Sequence, residues 1–297
     1  MNEYTTYQQI TYVHDLNYAQ KMLSFFGSNY AQSARMLPKA QAEATIIFYC
    51  FVRYADELVD NPDREFSGKT HKDLNEFIAE WNNVPECGVK EDTHRVIRST
   101  YWMCKHYSIP FDYLNDFLKA MKQDTHISRY QSYRELKAYM WGSASIVGHV
   151  MTFLLGYKSD VAFEHAQALA EAMQLTNFLR DVDEDYQQRN RIYLPEDEYH
   201  AFGVTEDMIK NQNLTPELIN FLKLYTQRAH ELFKKGMDGI KYLKSGRFSV
   251  YFASRRYRYH LKLLEKYNYD VFSGKIHITT FKQFQIFISS LLRYPFS

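Results

Sequence analysis

Glycine and proline are scarce in this chain, at 11 and 7 of 297 residues. An all-β architecture built on many tight turns needs more of both and is disfavoured. Cysteine is scarcer still. Cys50, Cys87 and Cys104 form no C-x-x-C pair and no Cys/His zinc spacing, which argues against a structural zinc site. Such a sparse, odd set fits a reducing compartment. There is no H-E-x-x-H, no G-x-G-x-x-G and no P-loop, and the eleven histidines are scattered, so they read as satisfied or surface side chains. Neither charge sign dominates. The 36 Lys and Arg against 35 Asp and Glu leave +1, spread without a basic tail, which gives no electrostatic case for nucleic acid. The longest apolar run is about half of a membrane span. The first residues, which include Glu3 and Asp15, lack the apolar core of a signal peptide. The expectation is a cytoplasmic protein with at most peripheral membrane contact through exposed apolar or aromatic surface.

What the chain does have is apolar and aromatic mass. Hydrophobic residues make up 45%, with 25 Tyr, 21 Phe and 3 Trp, enough for a sizeable core. Most of the rings are core; some can line an apolar cavity whose π-faces stabilise a cation. No useful run alternates with period two. Periodicity and breakers predict helices over about 1–26, 39–61, around Leu74 to Trp81, and over 92–107, 111–124, 131–156, 161–187, 206–211, 215–244, 248–268 and 279–293. Gly27-Ser28-Asn29 and Asn61-Pro62-Asp63 are breaks, and 188–195 reads as a loop. The prediction is an all-α fold in a single domain, 1–297. Gly142 and Gly148 fall inside the 131–156 helix. Each glycine costs about 1 kcal/mol there against alanine, so they mark a kink, a close approach by a ligand, or tight helix packing.

The strongest signal is a pair of matching acidic patterns. One runs from Tyr49 through Arg53, Asp56 and Glu57 to Asp60; the other runs from Gln174 through Asn177, Arg180, Asp181 and Glu184 to Asp185. Each puts two aspartates at i and i+4, one turn apart on one helix face, with an arginine just before the first. Stacked carboxylates repel, and a divalent cation removes the repulsion. Mg²⁺ suits them because it accepts one or two carboxylates, keeps waters and takes its remaining ligands from substrate phosphates. Two such patches facing each other would cage a diphosphate. The alternative is a pair of solvated helix faces. The flanks weigh against it, because Ala44 to Val52 is almost wholly apolar and leads straight into the charges.

With both patterns in view, the chain resembles the squalene/phytoene synthase family, head-to-head prenyl transferases of the all-α isoprenoid synthase fold, over about residues 27–285. The most specific element is Asn177-Phe-Leu-Arg-Asp-Val-Asp-Glu-Asp185 followed by Arg191-Ile-Tyr-Leu-Pro195, and Tyr49 to Asp60 matches nearly as well. Met36-Leu37-Pro38, the Tyr139/Gly142/Gly148 segment, Ala201-Phe202-Gly203-Val204, Arg255 with Tyr257, and Asn268-Tyr269-Asp270-Val271-Phe272 also match. The resemblance implies a helical bundle around a central apolar cavity. It implies Mg²⁺, with Mn²⁺ as a substitute, held by Asp56, Asp60, Asp181 and Asp185, with Glu57 and Glu184 as weaker metal or water-network partners. Arg53, Arg180 and Arg191 pair with diphosphate or orient the aspartates. Gln174 and Asn177 lie in the cavity, and Tyr49, Tyr139, Tyr193 and Tyr257 line it near the reacting carbons; as tyrosines in apolar helices they are equally plain core candidates. Ser28, Asn29 and Lys275 are further diphosphate contacts. Three departures stand out. Gly27-Ser28-Asn29-Tyr30 replaces a Ser-x-Ser-Phe flap, Ala144-Ser145 replaces Ala-Gly, and Ser273-Gly274-Lys275 replaces an arginine-rich stretch.

The implied activity is condensation of two prenyl diphosphates through a cyclopropylcarbinyl diphosphate. Two geranylgeranyl diphosphates giving phytoene, in carotenoid biosynthesis, is the leading reading, because Ala34, Ala42 and Ile46 leave room below the first motif. A C30 synthase using farnesyl diphosphate (squalene, dehydrosqualene or hydroxysqualene) is the alternative, with NADPH as cosubstrate only for a reductive squalene synthase. Downstream isoprenoid enzymes are the partners this implies. A non-catalytic assembly factor of the same fold is the rival of another class, and the intact aspartate pairs argue against it. A head-to-tail synthase or terpene cyclase shares the fold but normally carries other patterns around its acids.

Overall fold

The computed structural model describes residues 11–26 and 36–294. Among them there is no strand, only two isolated bridges. The chain is all-α. Its helices are α1 Tyr12–Phe25, α2 Lys39–Asp60, α3 Leu74–Cys87, α4 Arg95–Tyr107, α5 Phe111–Gln123, α6 Tyr133–Met140, α7 Ile146–Leu155, α8 Val161–Arg180, α9 Val182–Arg189, α10 Glu196–Ala201, α11 Glu206–Lys210, α12 Pro216–Asp238, α13 Arg247–Lys266 and α14 Thr280–Arg293. A π-turn, Trp141–Ser145, joins α6 to α7, and a 3₁₀ turn, Ile240–Tyr242, follows α12. The chain divides into two compact units, Met1–Thr125 with Val150–Gly156, and His126–His149 with Tyr157–Ser297.

In the first unit α2 is the hub. Phe48, Phe51 and Tyr54 are fully buried. Phe51 meets Phe77 and Trp81 of α3 at 5.2 and 5.0 Å between ring centres, and Phe117 of α5 at 6.2 Å. Beside these rings the polar tips of Tyr54 and Trp81 are satisfied. Tyr54 Oη bonds His71 Nδ1 at 2.8 Å, and Trp81 Nε1 donates to Asn115 at 2.8 Å. Asp15 of α1 is buried but receives two bonds from the Arg98 guanidinium, at 2.9 and 2.7 Å, which ties α1 to α4.

The second unit is built on α8, whose small residues allow close approach. A Cβ at Gly148 would lie 2.7 Å from the Ala166 carbonyl oxygen, so this glycine serves tight packing of α7 on α8. Gly142 sits in the π-turn. From the other side, Cβ atoms at Gly236 and Gly239 would come within 2.6 Å of Leu169 and 2.0 Å of His165. Helix α12 therefore lies directly on α8. A half-buried cluster fastens α10 to α12: Arg228 and Tyr225 donate to Glu198, at 2.5 and 2.8 Å for the shortest bonds, and the guanidinium lies 4.6 Å from the Tyr133 ring centre.

Several boundaries differ from the sequence reading. The predicted 161–187 helix breaks at Asp181 (φ −102°, ψ 13°). The 215–244 helix ends at Asp238, and the short helix α10 was not predicted. The continuous helical stretch Tyr133–Leu155 is long and apolar enough to cross a membrane by composition, which the run-length reading missed; 61% of its apolar window is buried within the protein. Gly236→Ala should overpack the α8–α12 contact and cost about 1–3 kcal/mol. The expected outcome is a thermal midpoint lowered by several degrees with an unchanged far-ultraviolet spectrum; an unshifted midpoint would show that α12 can move away from α8 at no cost.

Candidate active site

The residues singled out in the first acidic pattern share one stripe of α2. Ala42, Ile46, Tyr49, Arg53, Asp56 and Asp60 recur at three- and four-residue spacing and are half-buried, whereas the opposite face of the helix is packed into the core. This is the one-face arrangement of a helix at 3.6 residues per turn. Asp56 and Asp60 lie in the last turn of α2, which holds no basic residue. That is the electrostatically unfavourable end, because the helix dipole places partial negative charge there. Burial, then the Asp60 carboxylate, push the Asp56 carboxyl up to about 6; Arg53 works in the opposite direction.

Arg53 is the local counter-charge. Its Nη1 donates to Asp56 Oδ2 at 2.5 Å and its Nη2 bonds Glu57 Oε1. Its Nε is buried and has no partner among the described residues, which leaves a donor for a bound oxygen. Glu57 reads in sequence as a weaker metal partner, and the structure corrects that. Its side chain is wholly buried, and its oxygens are taken by Arg53, by Arg64 Nη1 at 3.4 Å and by Asn61 Nδ2 at 3.2 Å. Glu57 holds arginines in place. Arg64, which the sequence reading did not select, and Arg53 both lie 5.3 Å from the Phe26 ring centre.

The second pattern is built differently. Helix α8 ends at Arg180, Asp181 is the junction, and α9 begins at Val182. The i to i+4 relation survives the break, because Asp185 N donates to Asp181 O at 2.8 Å and Asp181 N to Asn177 O at 2.9 Å. Arg180 folds back on its neighbour, with Nε and Nη2 bonding Asp181 Oδ1 and Oδ2 at 2.6 and 2.5 Å. Gln174 and Asn177 lie on the half-buried stripe of α8 leading to Asp181, and the Asn177 Oδ1 is buried with no hydrogen-bond partner among the described residues. Asp183, Glu184 and Asp185 occupy the first turn of α9, the end that favours negative charge. Glu184 is exposed, while Asp181 and Asp185 are half-buried. Burial, then Asp181, push the Asp185 carboxyl up to about 7 against the pull of Arg189 and Arg191.

Arg191 follows Asn190, which closes α9 in the left-handed region (φ 50°). Its N–H donates to Asp185 O at 3.0 Å and its Nη1 to Tyr193 Oη at 3.1 Å. Arg129, unselected by the sequence reading, braces this turn. It donates to Asn190 O at 2.5 Å and to Glu206 at 2.7 and 3.1 Å. Tyr193 stacks on Phe178 at 4.3 Å and on Tyr139 at 5.6 Å, with Tyr130 behind at 6.1 Å, so two of the named tyrosines belong to one aromatic layer. Tyr257 stands on α13, 6.3 Å from the His260 ring. Burial, then Arg180, bring His260 down to about 4; it is a neutral imidazole next to the second acidic pattern and was also unselected. Lys275 is exposed, 5.9 Å from the Tyr267 ring centre. Ser28, Asn29 and Ala34 lie outside the described residues.

The squalene/phytoene synthase family model matches residues 26–282. The chain belongs to the squalene/phytoene synthase family. It is 25% identical over 281 residues to a 4,4'-diapophytoene synthase of Staphylococcus haemolyticus, covering 93% of this chain and 96% of that one. A phytoene synthase of Thermus thermophilus is 25% identical over 284 residues, covering 93% and 92%. A 15-cis-phytoene synthase of Synechocystis is 28% identical over 261 residues, covering 84% and 76%. Among solved structures, a dehydrosqualene synthase superposes with a TM-score of 0.84 at 24% identity over 96% of this chain and 98% of that one. A squalene synthase from Alicyclobacillus acidocaldarius gives 0.77 at 20% identity over 88% and 96%. The fold is the all-α isoprenoid synthase fold of these neighbours.

The donor set fits a divalent cation with open coordination positions. Each aspartate pair contains a carboxyl whose ionisation is resisted by burial and by a like-charged neighbour one turn away, and a bound cation removes that resistance. Among the described residues no three His, Cys, Asp or Glu side chains converge into a complete metal site.

A carboxyl raised in the folded state holds its proton more tightly than in the unfolded chain. Its stabilising contribution is therefore present below the ordinary carboxylate range and is lost as pH rises towards the folded value. Asp185→Asn should consequently match or exceed the parent's metal-free thermal midpoint at pH 8, by on the order of 1–3 °C, and lose that advantage at pH 4. A variant markedly less stable than the parent at pH 8 would contradict this reading of Asp185.

Proposed function

We propose that this chain is a Mg²⁺-dependent prenyltransferase that joins two prenyl diphosphates head to head, with two geranylgeranyl diphosphates forming phytoene as the leading reading. The observation that carries it is the placement of both aspartate pairs, each with its own arginine, at the ends of half-open stripes on buried helices of a family member. A non-catalytic relative would have no use for carboxylates held at such electrostatic cost. Asp56 and Asp60, and Asp181 and Asp185, are the proposed metal ligands. When bound, Mg²⁺ supplies the charge that neutralises the departing diphosphate.

The side chains divide the remaining work. The free Nε–H of Arg53 and the guanidiniums of Arg180 and Arg191 meet diphosphate oxygens, adding electrostatic stabilisation where negative charge develops. Breaking the C–O bond leaves an allyl cation. The Tyr139, Tyr193 and Phe178 layer offers it an apolar, electron-rich wall, and exclusion of water preserves it until the double bond of the second chain attacks. Proton loss then closes a cyclopropane, and a second ionisation and rearrangement join C1 to C1′. Phytoene keeps a central double bond and needs no reductant.

The shorter-chain alternative, two farnesyl diphosphates giving a C30 product, keeps its place because the diapophytoene synthase is matched as fully as the Thermus phytoene synthase. Incubation with Mg²⁺ and each diphosphate, with and without NADPH, followed by product mass analysis, separates the readings. The expected product is C40, independent of NADPH and absent in excess chelator. Asp56→Asn and Asp181→Asn should each lower turnover by at least about a thousandfold in folded protein, and wild-type turnover at saturating Mg²⁺ in either one would sink the metal-ligand role. Ile46 lies on the α2 stripe, two turns before Arg53. Ile46→Trp should lower use of the C20 diphosphate far more than of the C15 one, and an unchanged C20-to-C15 ratio in folded protein removes Ile46 as a depth determinant.

A further inference from the structure

Helix α14 has two apolar faces, and one of them is uncovered. Ile286 and Ser290 are buried, and Arg255 of α13 donates to the Ser289 and Ser290 hydroxyls, each at 3.1 Å. On the other side Phe281, Phe284, Ile288, Leu291 and Leu292 are 40–80% exposed. At about 100° per residue these five fall on an arc roughly 100° wide, opposite the buried pair. A helix that only packed on its own protein would carry polar residues there.

Charge says what the open face meets. Helix α14 contains no Asp or Glu, while Lys282 and Arg293 stand towards its two ends. The bias extends through the sequence around it. Residues 241–297 hold eleven Lys and Arg and only two Asp and Glu, a net of +9, in a chain whose total is +1. The even spread expected from the sequence does not hold here: the basic residues form no continuous run, yet they gather in the final fifth of the chain. An aromatic and aliphatic stripe within a strongly basic region is the pattern of a helix that lies in a membrane interface and is drawn to anionic lipid.

We propose that α14 docks this protein on the surface of an anionic bilayer, with Phe281, Phe284, Ile288, Leu291 and Leu292 in the acyl boundary and the flanking cations among the headgroups. The advantage to the enzyme rests on the prenyl-transfer reading, since a C40 or C30 hydrocarbon product has no stable place in water. The docking itself rests on the helix and its charges alone.

Sedimentation of the full chain with vesicles, without substrate, tests docking apart from catalysis. One set of vesicles is phosphatidylcholine; the other is equal parts phosphatidylcholine and phosphatidylglycerol. The expected result is binding to the anionic set, weakened in about 1 M salt where the Debye length is about 3 Å. Phe284→Ser with Leu292→Ser should lower that binding by about tenfold or more. Lys282→Glu with Arg293→Glu should lower it on the anionic set only, and the thermal midpoint of both double variants should stay at the parent's. Absence of parent binding to the anionic set overturns the proposal, as does undiminished binding by the serine variant. It is equally overturned if light scattering finds a parent dimer that the serine variant makes monomeric, because a second copy would then be what covers this face.

Discussion

Like-charged carboxylates held one turn apart are the constraint on which the arrangement of this protein turns. Such a pair is tolerable only if the helix beneath it is fixed by something other than its own charges. For Asp56 and Asp60 that support is the aromatic packing of Phe48, Phe51 and Tyr54 further up the same helix. The pair sits where the dipole of α2 opposes it, and the chain answers with Arg53 and Arg64 bridged by a fully buried Glu57. Glu57 shows how burial assigns roles among adjacent acids. The carboxylate turned into the protein is consumed in holding cations, and the one beside it, 34% exposed, stays addressable from outside.

The second pair meets the same constraint by a different route. The helix ends at Arg180 and restarts at Val182, so Asp183, Glu184 and Asp185 fall in a first turn, where exposed N–H groups favour them. One break thereby turns an unfavourable placement into a favourable one and keeps Asp181 and Asp185 a turn apart. The restarted helix closes at Asn190. There Arg129 holds the carbonyl and the side chain of that left-handed residue, fixing the Arg191–Tyr193 segment against Asp185 and the aromatic layer. Arg129 is in this sense a positioning residue: it touches neither acid of the pair and sets where their neighbours stand.

The features legible in the sequence were those encoded by local pattern. The α2 helix, its apolar length and its final acids follow from spacing and composition, and the structure places Ile46, Tyr49, Arg53, Asp56 and Asp60 on one stripe as that spacing implies. The two glycines of the 131–156 segment illustrate the boundary of such reading. Sequence offered a kink, a ligand approach or tight packing for both; the structure puts Gly142 in a π-turn and gives tight packing at Gly148, where the neighbour, Ala166, decides. Arg64, Arg129 and His260 were illegible for the same reason. Each acts through partners 7 to 80 positions away, Glu57, Glu206 and Arg180, and none falls in a periodic pattern of its own. The break at Asp181 was hidden because Asp181 satisfies the helical hydrogen bonds on both sides of it.

Net charge misled in a more general way. A total of +1 invites the conclusion that electrostatics plays no part in what this protein touches. The total conceals an acidic majority whose most perturbed members lie in the two aspartate pairs, and a basic terminal fifth that ends in α14. A field that attracts cations and one that attracts anions can coexist on one chain, since surface charges more than a Debye length of about 8 Å apart are largely screened from each other. An unpaired lysine within a few ångströms of Asp56 or Asp185 would compete for the carboxylates that a metal must reach. The arginines near them are themselves engaged, Arg53 by Asp56 and Glu57, Arg180 by the Asp181 carboxylate and Arg189 by Asp185 at 3.7 Å.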